Sequence, residues 1–107
     1  MALESPIVVN PKGGKQSHVA ARYDLVPPHA LETIAKVLSA GAEKYDIGND
    51  DLQNRNWHLI PSTDHINHAL AHIYTYLSGA ITGEDDMANA TCRLMMALEM
   101  LKREGKR

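Results

Sequence analysis

Between Asp64 and His72 the chain places a carboxylate and several imidazoles at helical spacing. Read as a helix, Asp64, His68 and His72 recur every fourth residue along one stripe, with His65 at its edge. Stacked carboxylate and imidazole groups can hold a metal ion or meet an anion, and a merely solvated helix face would carry the same residue types. A second polar cluster, Glu84-Asp85-Asp86 with Asn89, follows a short glycine-bounded turn. Asp86, Asn89 and Arg93 stand at i, i+3 and i+7 and so share one helix face. Packed antiparallel, the two helices would set both clusters in one polar layer.

That layer has two chemical sides. Lys15, Arg22, Lys44, Arg55 and Arg93 supply cations for an anion. Glu43, Asp85, Asp86, Asn89, His68 and His72 supply donors for a hard cation such as Mg²⁺ or Mn²⁺, whose commonest use in such a set is to hold a polyphosphate. Trp57 or Tyr45 is placed to stack on a base, although a lone tryptophan in a polar loop also serves to plug the end of a helical bundle. Other chemistries are excluded. There is no Gly-x-Ser-x-Gly, no phosphate-binding loop ending in Lys-Ser/Thr, and no paired Cys and His at zinc-finger spacing. Cys92 sits among apolar neighbours, where a thiol is inert.

The elements that must position these groups are helices. Val26-Pro27-Pro28 stops one segment and starts another, because each proline pushes its predecessor out of the helical region. A first helix is expected from Pro28 to Tyr45, with Leu31, Ile34, Val37, Leu38, Gly41 and Tyr45 as its core stripe and Glu32–Lys36 as an i,i+4 pair. Gly41 weakens it by about 1 kcal/mol, which a closely packed neighbour would offset. Residues 46–61 read as loop. A second helix, N-capped by Ser62 or Thr63, ends at Gly79 and buries Ile66, Leu70, Ile73 and Leu77. A third runs from about Gly83 or Glu84 to Glu104, its acidic start suiting the helix dipole. Its core stripe is expected to be Met87, Ala90, Leu94, Leu98 and Leu101. Met95, Met96 and Met100 give it a second apolar side, which implies a homo-oligomer. Residues 1–14 read as a flexible leader, 15–104 as one domain and 105–107 as a tail.

The 107 residues suffice for one small domain, and the net charge of −2 gives no basic field for nucleic acid. One cysteine permits no intrachain disulfide and fits a reducing compartment. Neither a membrane-length apolar run nor a secretory leader is visible, so a cytoplasmic protein is expected.

Four blocks in order resemble a known family. Lys15-Gln16-Ser17 with Ala21-Arg22-Tyr23-Asp24-Leu25-Val26-Pro27-Pro28 is the first, and Gly41-Ala42-x-Lys44-Tyr45 followed by Asn56-Trp57 the second. Asp64-His65-x-Asn67-His68-Ala69-Leu70-x-His72-Ile73 is the third, and Glu84-Asp85-x-x-Ala88 with Cys92-Arg93-Leu94 the fourth. They are similar to the short, mostly phage-encoded proteins named for dATP/dGTP diphosphohydrolase, grouped with the MazG-like all-helical nucleotide pyrophosphohydrolases. The resemblance implies an all-α, MazG-like bundle of three main helices with an extended N-terminal arm, assembled as a homo-oligomer in the host cytoplasm. It implies hydrolysis of a purine deoxynucleoside triphosphate to monophosphate and pyrophosphate. Glu43 and Asp86 are then the candidate catalytic residues, and Asp85, Asp86 and Asn89 the candidate metal ligands. The substrate would meet Lys15, Arg22, Lys44, Tyr45, Asn56, Trp57, His68, His72 and Arg93. The chain departs from the family pattern at Asp86 and Asn89, where histidines are usual, and it lacks the Glu-Glu-x-x-Glu of MazG proteins. These departures favour an alternative, a protein of the same fold that sequesters a nucleotide and so blunts host nucleotide-based defence signalling.

Overall fold

Pro28 lies in the first turn of the first helix, where its missing N–H costs nothing, and the helix runs from Pro28 to Tyr45 (α1). The computed structural model describes residues 6–105. Two further helices follow, α2 over Ser62–Ser78 and α3 over Asp86–Arg103. Short 3-10 turns cover Tyr23–Leu25 and Asn56–Leu59. The protein is thus mostly helical, with three main helices as the sequence implies. Among the described residues, no helix is long and apolar enough to cross a membrane.

The helix ends follow local chemistry. Gly79 closes α2 in the left-handed conformation (φ 75°), and Gly83 (φ 76°) turns the chain again before α3. The Asp85 carboxylate accepts the Ala88 N–H at 3.0 Å and caps α3. The start of α2 corrects the expected cap. Pro61 is its N-cap residue, and the Ser62 N–H and hydroxyl donate to the Glu104 carboxylate at 3.4 and 3.1 Å. The far end of α3 therefore caps the near end of α2.

Part of the expected leader is structured. Ile7–Val9 (β1) pairs antiparallel with Lys15–Ser17 (β2), Val8 opposite Gln16. The Asn10 side chain closes the turn by accepting the Lys12 and Gly14 N–H groups at 3.0 and 2.9 Å. Residues 1–5 of that leader, and 106–107 of the tail, lie outside the described residues.

Helices α2 and α3 form the main pair, with α1 lying against α3. The expected core stripes are corrected here. The residues sealed between helices are small or polar: Ser62, His65 and Ala69 on α2, and Asp86, Ala88, Ala90, Cys92 and Ala97 on α3. Leu70 and Leu77, expected inside, are exposed, as are Met87, Leu94 and Leu98. Met95, Met96 and Met100, expected outside, are half-buried. Small side chains let the two backbones approach closely, so the broad leucine stripes turn away from the joint. No residue of α1 is fully buried, and Leu31 and Tyr45 of its expected core stripe are exposed.

Candidate functional site

The α2–α3 joint carries the polar layer, anchored by Asp86. His72 Nδ1 donates to Asp86 Oδ1 at 2.9 Å, and the Thr82 hydroxyl donates to Oδ2 at 3.1 Å. A carboxylate that takes the Nδ1 hydrogen fixes the ring and leaves Nε2 as its remaining polar atom. Asp86 is 8 % exposed, so it holds His72 from within the protein.

Deeper along α2, His65 is completely buried. Its Nε2 lies 2.9 Å from the Trp57 carbonyl and its Nδ1 lies 3.1 Å from Arg93. Burial holds its pKa below the usual value, with Arg93 and His68 acting the same way and the Trp57 carbonyl and Asp64 opposing. The sequence places His65 only at the edge of a polar stripe; the structure makes it the link from α2 to both the 3-10 turn and α3.

The loop after α1 is set by Asp46. Its Oδ1 accepts from the Asn56 N–H at 2.9 Å and the Asn49 amide at 3.1 Å, and its Oδ2 lies 3.7 Å from Arg55. Arg55 also donates to the Asn49 carbonyl at 2.8 Å, while its own N–H donates to His58 Nδ1 at 2.7 Å. Burial lowers the His58 pKa. This network holds Trp57 half-buried, stacked on His58 at 3.7 Å and edge-on to His65 at 6.2 Å. Next to it, Lys44 Nζ sits 5.1 Å from the centre of the Tyr45 ring.

These parts surround a groove of about 1150 Å³ between α1 and the α2–α3 pair. The sequence-expected substrate residues Lys44, Tyr45, Asn56, Trp57, His68, His72 and Arg93 all line it. Asp85 and Asn89 line it as well. Cys92 also faces it, and burial raises its thiol pKa, which keeps it unreactive.

Four expected residues are not on its walls. Lys15 lies in exposed β2 and Arg22 in an exposed segment, where its Nε and Nη2 donate to the Asp24 carboxylate at 2.8 Å. Glu43 is exposed and outside the groove, because each helical step turns about 100° and its neighbours Ala42 and Lys44 take the inward positions. Asp86 lies behind His72 with both oxygens engaged.

The candidate metal ligands also regroup. One donor atom each from His72, Glu84 and Asp86 lie within 4.8 Å of one another. Asp85, expected in this set, directs an oxygen to its own helix instead. Two carboxylates and an imidazole fit a divalent cation whose shell is completed by water and phosphate. Sequence reasoning missed Glu84 as a candidate ligand, although it adjoins the acidic pair. It also missed Asp46, whose partners lie up to ten residues away and leave no periodic trace.

The family model described as "dATP/dGTP diphosphohydrolase, N-terminal" matches residues 10–107. No curated protein and no solved structure matches the chain.

Proposed function

Since the chain belongs to the dATP/dGTP diphosphohydrolase N-terminal family, we propose that it is a nucleotide pyrophosphohydrolase of MazG-like type acting on a purine deoxynucleoside triphosphate. Water adds at the α-phosphorus, the α–β bridging P–O bond breaks, and monophosphate and pyrophosphate leave. The observation that carries this reading is the groove, which gathers Trp57 and Tyr45 with Arg93, His68 and His72 beside the His72–Glu84–Asp86 set. The aromatic rings offer a face to the base. Lys44 and Arg93 neutralise phosphate charge, and His72, held by Asp86, presents Nε2 to a phosphate oxygen or to water. Glu84 and Asp86 would hold Mg²⁺ or Mn²⁺, which when bound withdraws charge from the phosphates and acidifies water.

A second reading, nucleotide sequestration without cleavage, has its own support. Both oxygens of Asp86 are hydrogen-bonded and Asp85 is committed to its helix, which leaves Glu84 as the least engaged carboxylate of the acidic turn. Incubating the protein with dATP, dGTP and their ribose counterparts, with Mg²⁺ or Mn²⁺, separates the two. Monophosphate and pyrophosphate on ion-exchange chromatography support hydrolysis. Intact nucleotide retained by the protein after gel filtration supports sequestration, and a panel neither cleaved nor retained would sink both.

A further inference from the structure

Among the described residues, the largest fully buried side chains are His65 and Cys92, so the chain seals an ionisable ring inside its main helix pair. The roles of that ring are fixed by its partners. The Trp57 carbonyl can only accept, so Nε2 carries the hydrogen. The Arg93 guanidinium can only donate, so Nδ1 is the bare acceptor. His65 is therefore neutral and held in one tautomer.

Arg93 lines the groove, and among the described residues no carboxylate pairs with it. A long side chain with that freedom is aimed by whatever holds its head, and here that is His65 Nδ1. We propose that His65 is the positioning residue for Arg93, its neutral ring aiming the guanidinium at the phosphates, and that charging the ring expels Arg93 and weakens nucleotide binding. The inference deepens the nucleotide reading of the groove and rests on it for its ligand.

The chemistry is a change of sign at one atom. A proton on Nδ1 turns an acceptor into a donor facing a second donor, at 3.1 Å and away from water. The charged groups around the ring do not rescue it. From α2, Asp64 favours the charged form and His68 opposes it; from α3, Arg93 opposes it. From the 3-10 turn the Trp57 carbonyl already takes the Nε2 hydrogen, and His58 stacks on Trp57.

The test uses the full chain and the α,β-methylene analogue of dGTP, which resists cleavage at the scissile bond. Affinity is measured by calorimetry at about pH 7.5 and about pH 5.5, on either side of the ordinary histidine range. His65→Gln keeps one acceptor and one donor but cannot charge. The parent should lose more affinity on acidification than His65→Gln does, by a factor that stays below about tenfold at this pH because burial holds the ring's pKa under its ordinary value. The analogue's own phosphate titrates in the same range, and the variant removes that contribution. Equal losses in parent and variant would overturn the proposal. If the analogue binds neither protein, the nucleotide reading fails on its own and a ligand-free measurement decides the positioning role. Nitrogen NMR of the parent should show the Nε2–H tautomer at the higher pH, and an Arg93 side-chain signal that changes as His65 takes up a proton. The other tautomer, or an Arg93 signal indifferent to that proton, overturns it.

Discussion

Single side chains in this protein are fixed by one another. Among the described residues, no buried side-chain nitrogen or oxygen lacks a hydrogen-bond partner. This saturation separates groups that bind from groups that hold. Lys44 is exposed at the groove wall, so Lys44→Ala should cost about 1–3 kcal/mol of nucleotide affinity with almost no change in melting temperature. His72→Ala behaves differently. It removes a partner from nearly buried Asp86 and should cost about 1–3 kcal/mol of stability as well as affinity. Calorimetry and thermal melts on both variants check the contrast, and a His72→Ala protein as stable as the parent would contradict it. Acid should act through His65 and His58, both held below their ordinary pKa by burial. Above about pH 6.5 both folded and unfolded rings are neutral and this contribution is complete. As pH falls below that value the unfolded chain takes up protons that the folded chain refuses, so the melting temperature should fall. His65→Gln should flatten part of that fall in melts recorded across this range.

The helices carry two lessons about what a sequence specifies. Gly41 lies inside α1, where a neighbour packed against it would offset its cost, yet an added Cβ would meet no atom within 4 Å. Gly41 lines the groove, so the space beside it belongs to whatever enters. Gly41→Ala should stabilise the chain by about 1 kcal/mol and weaken nucleotide binding, a pairing that melts and titrations of one variant can check. A gain in stability with unchanged affinity would show that ligand does not approach there. The extent of α1 was legible because Pro28 fixes one end, and Gly79 marks the close of α2 equally well. The buried faces of α2 and α3 were only partly legible. Ala90 of the expected α3 stripe is buried, but Ala69 and Ala97 were passed over for leucines, because periodicity ranks the larger side chains first. Close approach of two backbones needs the smaller ones. His65 was missed for the same reason, since it lies on the buried face of α2, one turn from Ala69. Most of the groove walls were legible, because residues at i, i+3 and i+4 stay together once the helix forms. Glu43 was misplaced by a single helical step, and Asp46 depends on contacts that sequence spacing does not encode.

The molecule as a whole is too extended to keep its apolar surface to itself. Its radius of gyration is 17.9 Å, against about 13 Å for a compact chain of this length, and it extends 56 × 30 × 29 Å. Among the described residues, the fully buried apolar side chains are four alanines and a cysteine. Leu70, Tyr74 and Leu77 of α2 and Met87, Leu94 and Leu98 of α3 are all exposed. On α3 those three stand opposite Asn89, Arg93 and Met96, which line the groove, so the leucine face is the back of the site. A second copy packed on this back face would bury twelve such side chains without closing either groove. At about half the usual 1.5–3 kcal/mol for a buried side chain, they supply roughly 9–18 kcal/mol. That is comparable with or larger than an association cost of about 4–15 kcal/mol. The chain should therefore be a homo-oligomer with its grooves facing outward. The expected apolar side for this contact was Met95, Met96 and Met100, but these are half-buried and Met96 lines the groove, so the more exposed leucines take their place. Leu94→Asp with Leu98→Asp should yield a monomer by light scattering while circular dichroism retains the helices, since neither side chain contributes to the fully buried core. A parent protein that is already monomeric at micromolar concentration would refute the assembly. A double variant that keeps the parent's mass would rule out the leucine face as the interface.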